Sequence, residues 1–161
     1  MNPSHSLTVR QAEYSDIEAL APLFDAYRQF YKQPSDVERA ERFLRDNLEQ
    51  QQSVIFFAYT EDSSRPLGFT QLYPTLSSIA MMRVWTLNDL FVHPDARKQG
   101  VARALMKAAE AHARVTGAKG LQLSTAVDNV TAQRLYVAMG YVRDDAFLHY
   151  YLNISHTNSS E

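Results

Sequence analysis

Leu87-Asn-Asp-Leu-Phe-Val-His-Pro-Asp-Ala-Arg-Lys-Gln-Gly-Val-Ala-Arg-Ala-Leu-Met106 is the stretch on which the reading of this chain turns. Its first half reads as a buried strand and its second as a tight basic turn entering a helix. Pro94 has no N–H to donate, so it ends the ladder. After Arg97-x-x-Gly100-x-Ala102, apolar or small residues return about once per turn at Val101, Leu105, Ala108 and Ala109, with His112 beyond. Small residues at 100 and 102 allow close backbone approach to a ligand. The N–H groups that open a helix have no partner within it and favour an anion. The stretch therefore reads as a pyrophosphate cradle fed by a strand.

A strand–Gly–helix turn alone is weak evidence, because many helices begin this way without a ligand. It is not a nucleotide P-loop, for it lacks the Gly-Lys-Ser/Thr ending, and it lacks the three spaced glycines of the dinucleotide fingerprint. The second half adds weight. A strand, Leu121-Gln-Leu-Ser-Thr125, precedes Asp128-Asn129-x-x-Ala132-x-x-Leu135-Tyr136-x-x-x-Gly140-Tyr141.

Together these segments resemble the GNAT superfamily of acetyl-CoA-dependent N-acetyltransferases. That family carries Arg/Gln-x-x-Gly-x-Gly/Ala, then a strand, then an Asn-x-x-Ala/Ser-x-x-x-Tyr-x-x-x-Gly-Phe/Tyr helix. The resemblance is close from Leu87 to about Tyr151; before that it extends only to the succession of elements. Trp85–Val92 and Tyr136–Tyr141 look most like the subgroup of yeast histone/polyamine and spermidine/spermine acetyltransferases.

The resemblance implies acetyl-CoA as acetyl donor and no metal. It implies an α/β fold: a single GNAT-like domain over residues 1–155, with a mixed central sheet of about seven strands and helices on both faces. Its fourth and fifth strands splay, and the pantetheine arm lies in the gap, bonded to strand backbone, here Leu90, Phe91 and Val92. The diphosphate falls to Arg97, Lys98, Gln99, Gly100, Val101, Ala102 and Arg103. Asn129 contacts the cofactor arm, and Tyr136 lies near the sulfur.

Outward from this centre, Leu7–Gln11 alternates as an edge or near-edge strand. Ser15-x-x-Glu18 is a capping box for a helix to about Tyr31, and Ser35-x-x-Glu38 starts a second helix. The mixed acids and arginines of that helix read as a solvated charged face. Ser53–Tyr59 and Leu67–Tyr73 form a hairpin, Pro74–Ala80 a polar loop, and Met81–Val92 the long central strand. Gly117 is expected to cap the cradle helix in a left-handed conformation. Tyr141–Arg143 and Phe147–Ile154 read as a terminal hairpin, and residues 156–161 as a frayed polar tail.

Composition narrows the class. A chain of 161 residues fits one domain. A formal charge of −2 argues against a general nucleic-acid binder. With no cysteine there is no disulfide, thiolate metal site or cysteine nucleophile. No long apolar run suggests a membrane span, and the N-terminus lacks an apolar signal core, so a cytoplasmic location is expected. Without a signal peptide, the triplet Asn153-Ile-Ser155 reads as chance. Phe147–Ile154 is apolar on both parities, which suggests a homodimer through this segment.

Amine acetylation needs a neutral amine, a stabilised oxyanion and a proton for the leaving thiolate. An alkyl amine has a pKa of about 10.4, so deprotonating it at pH 7 costs roughly 4–5 kcal/mol. A base or water chain is therefore useful. The resemblance assigns the oxyanion to a backbone N–H of Phe91 or Val92 and the acid to Tyr136; on spacing alone Tyr136 reads as a core aromatic. Asn129 also reads as a helix cap. Asp89 is the candidate base. It stands, with Asn88, where spermidine/spermine acetyltransferases carry Glu-Asp, and it reads equally as a hydrogen-bonded structural carboxylate at a bulge or on the sheet surface. Tyr31, Tyr73 and Ser124 are candidates for a water path, and His93 reads as structural or exposed. The expected substrate is a small primary amine, polyamine or amino-acid-like. The alternatives are a protein-lysine or histone-type acetyltransferase, a non-catalytic acyl-CoA sensor, and a purely structural domain.

Overall fold

In the computed structural model, which describes residues 6–63 and 65–155, four strands run as an antiparallel meander and a fifth joins in parallel. They are β1 (Leu7–Gln11), β2 (Val54–Thr60), β3 (Gly68–Ser77), β4 (Met82–Val92) and β5 (Gly120–Gln122), ordered β1-β2-β3-β4-β5. Helices α1 (Ile17–Phe30) and α2 (Val37–Glu49) lie between β1 and β2, and α3 (Val101–Val115) connects β4 to β5. Helix α4 (Val130–Ala138) follows β5. The chain divides into two compact units, Met1–Ser124 and Thr125–Glu161.

The first unit places helices on both faces of its sheet. Strand β2 shows why: Ile55 and Phe57 join α1 and α2 in one core with Leu20, Phe24, Leu44 and Phe69. The intervening Phe56 and Ala58 join Val101 and Leu105 of α3 in another. This is strict period-two alternation. Helix α3 is further tied to β4, where the Trp85 indole N–H donates to Thr116 Oγ1 at 2.9 Å and stacks obliquely on His112, ring centroids 4.9 Å apart. Gly68 is required by contact: a Cβ there would lie 2.9 Å from both the Phe91 carbonyl oxygen and Val101 Cγ1.

Several local expectations change. The first capping box is Glu13 with Asp16, whose carboxylate accepts the Glu13 N–H at 2.8 Å in a 3₁₀ turn before α1. Asp36, not Ser35, caps α2 by accepting the Arg39 N–H; the Ser35 hydroxyl donates to buried Asp25 instead. Strand β3 continues through Pro74, so the loop is shorter than expected. The β2 ladder ends at Leu72, leaving Pro74 where β3 pairs only with β4 and needs no second N–H bond.

The sheet has five strands rather than about seven. β5 stops at Gln122, and residues 141–155 carry no strand. A strand is defined by its ladder, and the apolar character of 147–154 on both parities does not supply one; Leu148 and Tyr151 are exposed there. The second unit is built on α4, which Asn129 caps by accepting the Ala132 N–H at 3.3 Å. Gly140, at φ 95°, closes it in a left-handed turn, with the Tyr141 N–H donating to the Tyr136 carbonyl at 3.0 Å. The polar tail expected at 156–161 lies outside the described residues.

Candidate active site

The site begins with a bulge in β4. Gln71 pairs with Asp89 and Leu72 with Leu87, so Asn88 is an extra residue in the ladder. Without it, Trp85, Asp89 and Phe91 would share one face. With it, Trp85 faces α3, while Asp89 and Phe91 turn toward α1: Phe91 packs on Tyr27, centroids 5.8 Å apart. The Thr70 hydroxyl donates to the Asp89 carbonyl at 2.8 Å, occupying an acceptor at the irregularity.

The Asp89 carboxylate is buried, only 5% exposed, and has three donors. Gln71 Nε2 donates to Oδ2 at 2.7 Å; the Tyr27 hydroxyl and Asn88 Nδ2 donate to Oδ1 at 2.9 and 3.1 Å. The orientation of Gln71 is set from behind, since its Oε1 accepts from Ser53 Oγ at 2.7 Å and Asn47 Nδ2 at 3.1 Å. Its amide nitrogen must then face Asp89. Burial pushes the Asp89 carboxyl above the usual range, against the opposing pull of Gln71, Tyr27 and Asn88. Burial and the same carboxylate raise the Tyr27 phenol strongly and push Tyr73 up to about 12. Both phenols stay protonated at neutral pH.

Asp89 and Asn88 open onto a cavity of about 270 Å³. Phe24, Tyr27 and Phe43 of the two helices and Tyr73 of β3 line it, together with Arg28, Arg39 and Ala40. Tyr73, a candidate for the water path, is thus at the cavity; Tyr31 instead packs edge-on against Tyr27 and is exposed. Ser124 is exposed at the end of the first unit. His93 Nδ1 accepts the Asp95 N–H at 3.1 Å in the turn after β4.

Next to Asp89 along β4 stand Leu90, Phe91 and Val92. The β4–β5 ladder has three pairs, ending at Thr86 with Gln122, so β4 runs on past the end of β5. This is the divergence expected of splayed central strands. An extended, amide-bearing arm fits such an edge, because it supplies the hydrogen bonds a strand would.

The cradle follows directly. Arg97 Nε reaches the Val92 carbonyl at 3.4 Å, and its guanidinium lies 5.9 Å from the centroids of both Phe30 and Phe91. Lys98 and Gly100 both have positive φ, 61° and 80°. The first amide bond to close α3 runs from Ala104 to the Gly100 carbonyl, leaving the Val101 and Ala102 N–H groups ahead of it at the positive end of the helix. Gly100 has no side-chain cap, and a Cβ there would meet nothing within 4 Å. Gly100 therefore serves its backbone conformation, in open space. Arg97, Lys98, Gln99 and Arg103 surround this turn, so its donors and charge fit a diphosphate.

Tyr136 and Asn129 belong to the second unit. Tyr136 is half-buried, its ring centroid 6.1 Å from that of Tyr141, and Asn129 makes the capping bond its sequence position allows. The residues that sequence reasoning did not single out for the site are Tyr27, Gln71, Asn47, Ser53, Arg28 and Arg39. No short-range motif joins them; they meet through the antiparallel register and the docking of α1 and α2. Among the described residues there is no cluster of metal-ligating side chains and no helix long and apolar enough to cross a membrane.

Comparison with known proteins agrees with this architecture. Residues 18–141 match the acetyltransferase (GNAT) family model. The chain is 49% identical over 148 residues to the uncharacterized N-acetyltransferase YhfO of Bacillus subtilis (strain 168), covering 92% of this chain and 98% of that protein. It is 42% identical to the crystal structure of a probable acetyltransferase, with a TM-score of 0.88 over 92% of this chain and 99% of that one. The ribosomal-protein-alanine N-acetyltransferase of Brucella melitensis biovar Abortus 2308 shares the fold at 20% identity, with a TM-score of 0.78 over 92% of this chain and 99% of that one. This chain belongs to the GNAT family and is an N-acetyltransferase.

Proposed function

We propose that this protein transfers an acetyl group from acetyl-CoA to a small primary amine bound in the cavity at Asp89, in a ternary complex. The observation that carries this reading is a buried carboxylate on the wall of an aromatic-lined cavity, on the stretch of β4 that runs past the end of β5. Acetyl-CoA supplies the acetyl group as a thioester. Arg97, Lys98, Arg103 and the amides from Gln99 to Arg103 hold its diphosphate, and the backbone of Leu90, Phe91 and Val92 holds its arm. A backbone N–H of Phe91 or Val92 faces the oxygen on which charge develops. Asp89 attracts the substrate ammonium and takes its proton, directly or through water; its raised pKa makes it a stronger base than an ordinary Asp. Tyr136 donates toward the departing thiol, and Asn129 contacts the cofactor arm.

Residues 1–155 act as one cytoplasmic domain on a small molecule, without nucleic acid or membrane. Two copies pair through Phe147–Ile154, whose exposed apolar side chains a second copy would cover; light scattering that finds only an 18.3 kDa species would exclude this. The subgroup likeness of Trp85–Val92 and Tyr136–Tyr141 keeps polyamines in the first panel, beside lysine peptides. Thiol release from acetyl-CoA across that panel, with a melting curve in CoA alone, tests the proposal. CoA at about 100 times its dissociation constant should add roughly 2.7 kcal/mol. A shift without turnover would favour a non-catalytic acyl-CoA sensor, and no shift would end the cofactor assignment.

A further inference from the structure

The cavity at Asp89 is charged in a way that amine transfer alone does not require. Arg28, half-buried on α1, and Arg39, in the first turn of α2, both line it. Neither guanidinium has a hydrogen-bond or ion-pair partner among the described residues. The nearby acids are engaged elsewhere: Asp25 accepts from the Ser35 hydroxyl and the Asp36 N–H, both at 2.7 Å, and Asp36 caps α2. Arg10 and Arg45, by contrast, are paired, with Asp16 and Glu41. The cavity thus sets one carboxylate against two uncommitted guanidinium groups, with aromatic rings lining the space around them.

Resting on the acetyl-transfer reading, we infer that the acceptor is an amine that also carries an anionic group, a carboxylate or a phosphate, held by Arg28 and Arg39 while Asp89 receives the ammonium. Guanidinium groups bind both anions in forked pairs. The rings of Phe24, Tyr27, Phe43 and Tyr73 offer apolar surface to the carbon skeleton between the two charged ends. A polyamine fits poorly. Among the described residues Asp89 is the only acid lining the cavity, so a second ammonium would meet the arginines instead of a carboxylate. Like charges brought together in a partly desolvated site are penalised, which is how a site excludes near-relatives of its substrate.

Matched pairs isolate the anion: L-phenylalanine with phenethylamine, 4-aminobutyrate with n-butylamine, and phosphoethanolamine with ethanolamine, plus spermidine as a polycation. Binding to the protein in saturating CoA is measured by calorimetry, and turnover by thiol release. In at least one pair the anionic member should bind at least about tenfold more tightly, the effect of one charged hydrogen-bonding partner. The carboxylate and phosphate arms separate the two anions. Arg28→Ala and Arg39→Ala should each collapse the ratio within that pair toward one, while Arg28→Lys and Arg39→Lys should keep part of it; melting curves confirm that each variant is folded. Failure of thiol release with every amine would overturn acetyl transfer. Equal or weaker binding of every anionic member, or preference for spermidine, would overturn the present inference whether or not turnover occurs.

Discussion

Asp89→Asn separates a base from a structural carboxylate, because the surrounding hydrogen bonds largely survive the change. Gln71 Nε2, held toward residue 89 by Ser53 and Asn47, can still donate to an amide oxygen. The new amide can donate to the Tyr27 oxygen, leaving Asn88 to turn to solvent, to which it is already exposed. The fold should therefore persist, and turnover reports on the proton. General bases contribute about 10²–10⁴-fold, so kcat/KM at pH 7 should fall within that range. The loss should shrink as pH rises. For an amine of pKa about 10.4 the neutral fraction grows about tenfold per pH unit, hence about a hundredfold between pH 7 and pH 9. Thiol release measured across that range for both proteins gives the ratio directly. A loss of equal size at pH 7 and pH 9 would refute Asp89 as the base and leave a water chain as the proton's route. Stability provides a second check. The folded-state pKa of Asp89 is raised, so its favourable contribution is complete below the unfolded value, about 3.9, and is lost as pH climbs through the folded value. The melting temperature of the wild type, relative to that of the Asn variant, should fall across that window and then level off.

The remaining predictions probe the frame around the site. Gly68→Ala should destabilise by about 1–3 kcal/mol in urea melts, since its Cβ would meet the Phe91 carbonyl and Val101 at 2.9 Å, and backbone cannot swing aside as a side chain does. An unchanged midpoint would mean that β3 and α3 are not packed as described. Gly100→Glu should abolish the thermal shift given by CoA, through charge at the diphosphate and a side chain at φ 80°; a retained shift would move the cofactor away from α3. Tyr136→Phe should lower turnover at least about a hundredfold with melting temperature and CoA affinity nearly unchanged. Intact turnover would make Tyr136 a packing residue.

The sequence by itself determined the parts whose physics is local. Arg97-x-x-Gly100-x-Ala102 after a Pro-terminated strand announces a helix whose first amides are uncommitted, and Gly117 and Gly140 do occupy the left-handed caps their positions implied. Period-two alternation identified β1, and apolar runs bounded by turn residues identified β2 and the central strand; the order of elements, with the paired family motifs, was enough for the fold class. The capping residues misled where two candidates stood one or two positions apart: Asp36 prevailed over Ser35, whose hydroxyl goes to Asp25, and Glu13–Asp16 prevailed over Ser15–Glu18, with the Asp16 carboxylate also held by Arg10. The terminal strands misled for another reason: apolar character marks what a segment can bury, and a ladder is needed to make it a strand. Only the tertiary structure decided the surroundings of Asp89. The bulge at Asn88 inverts the faces of β4, and no alternation pattern shows where a ladder will slip. Asp89, Gln71, Asn47 and Arg28 stand on four different elements, so their meeting depends on long-range register and helix docking rather than on any spacing along the chain.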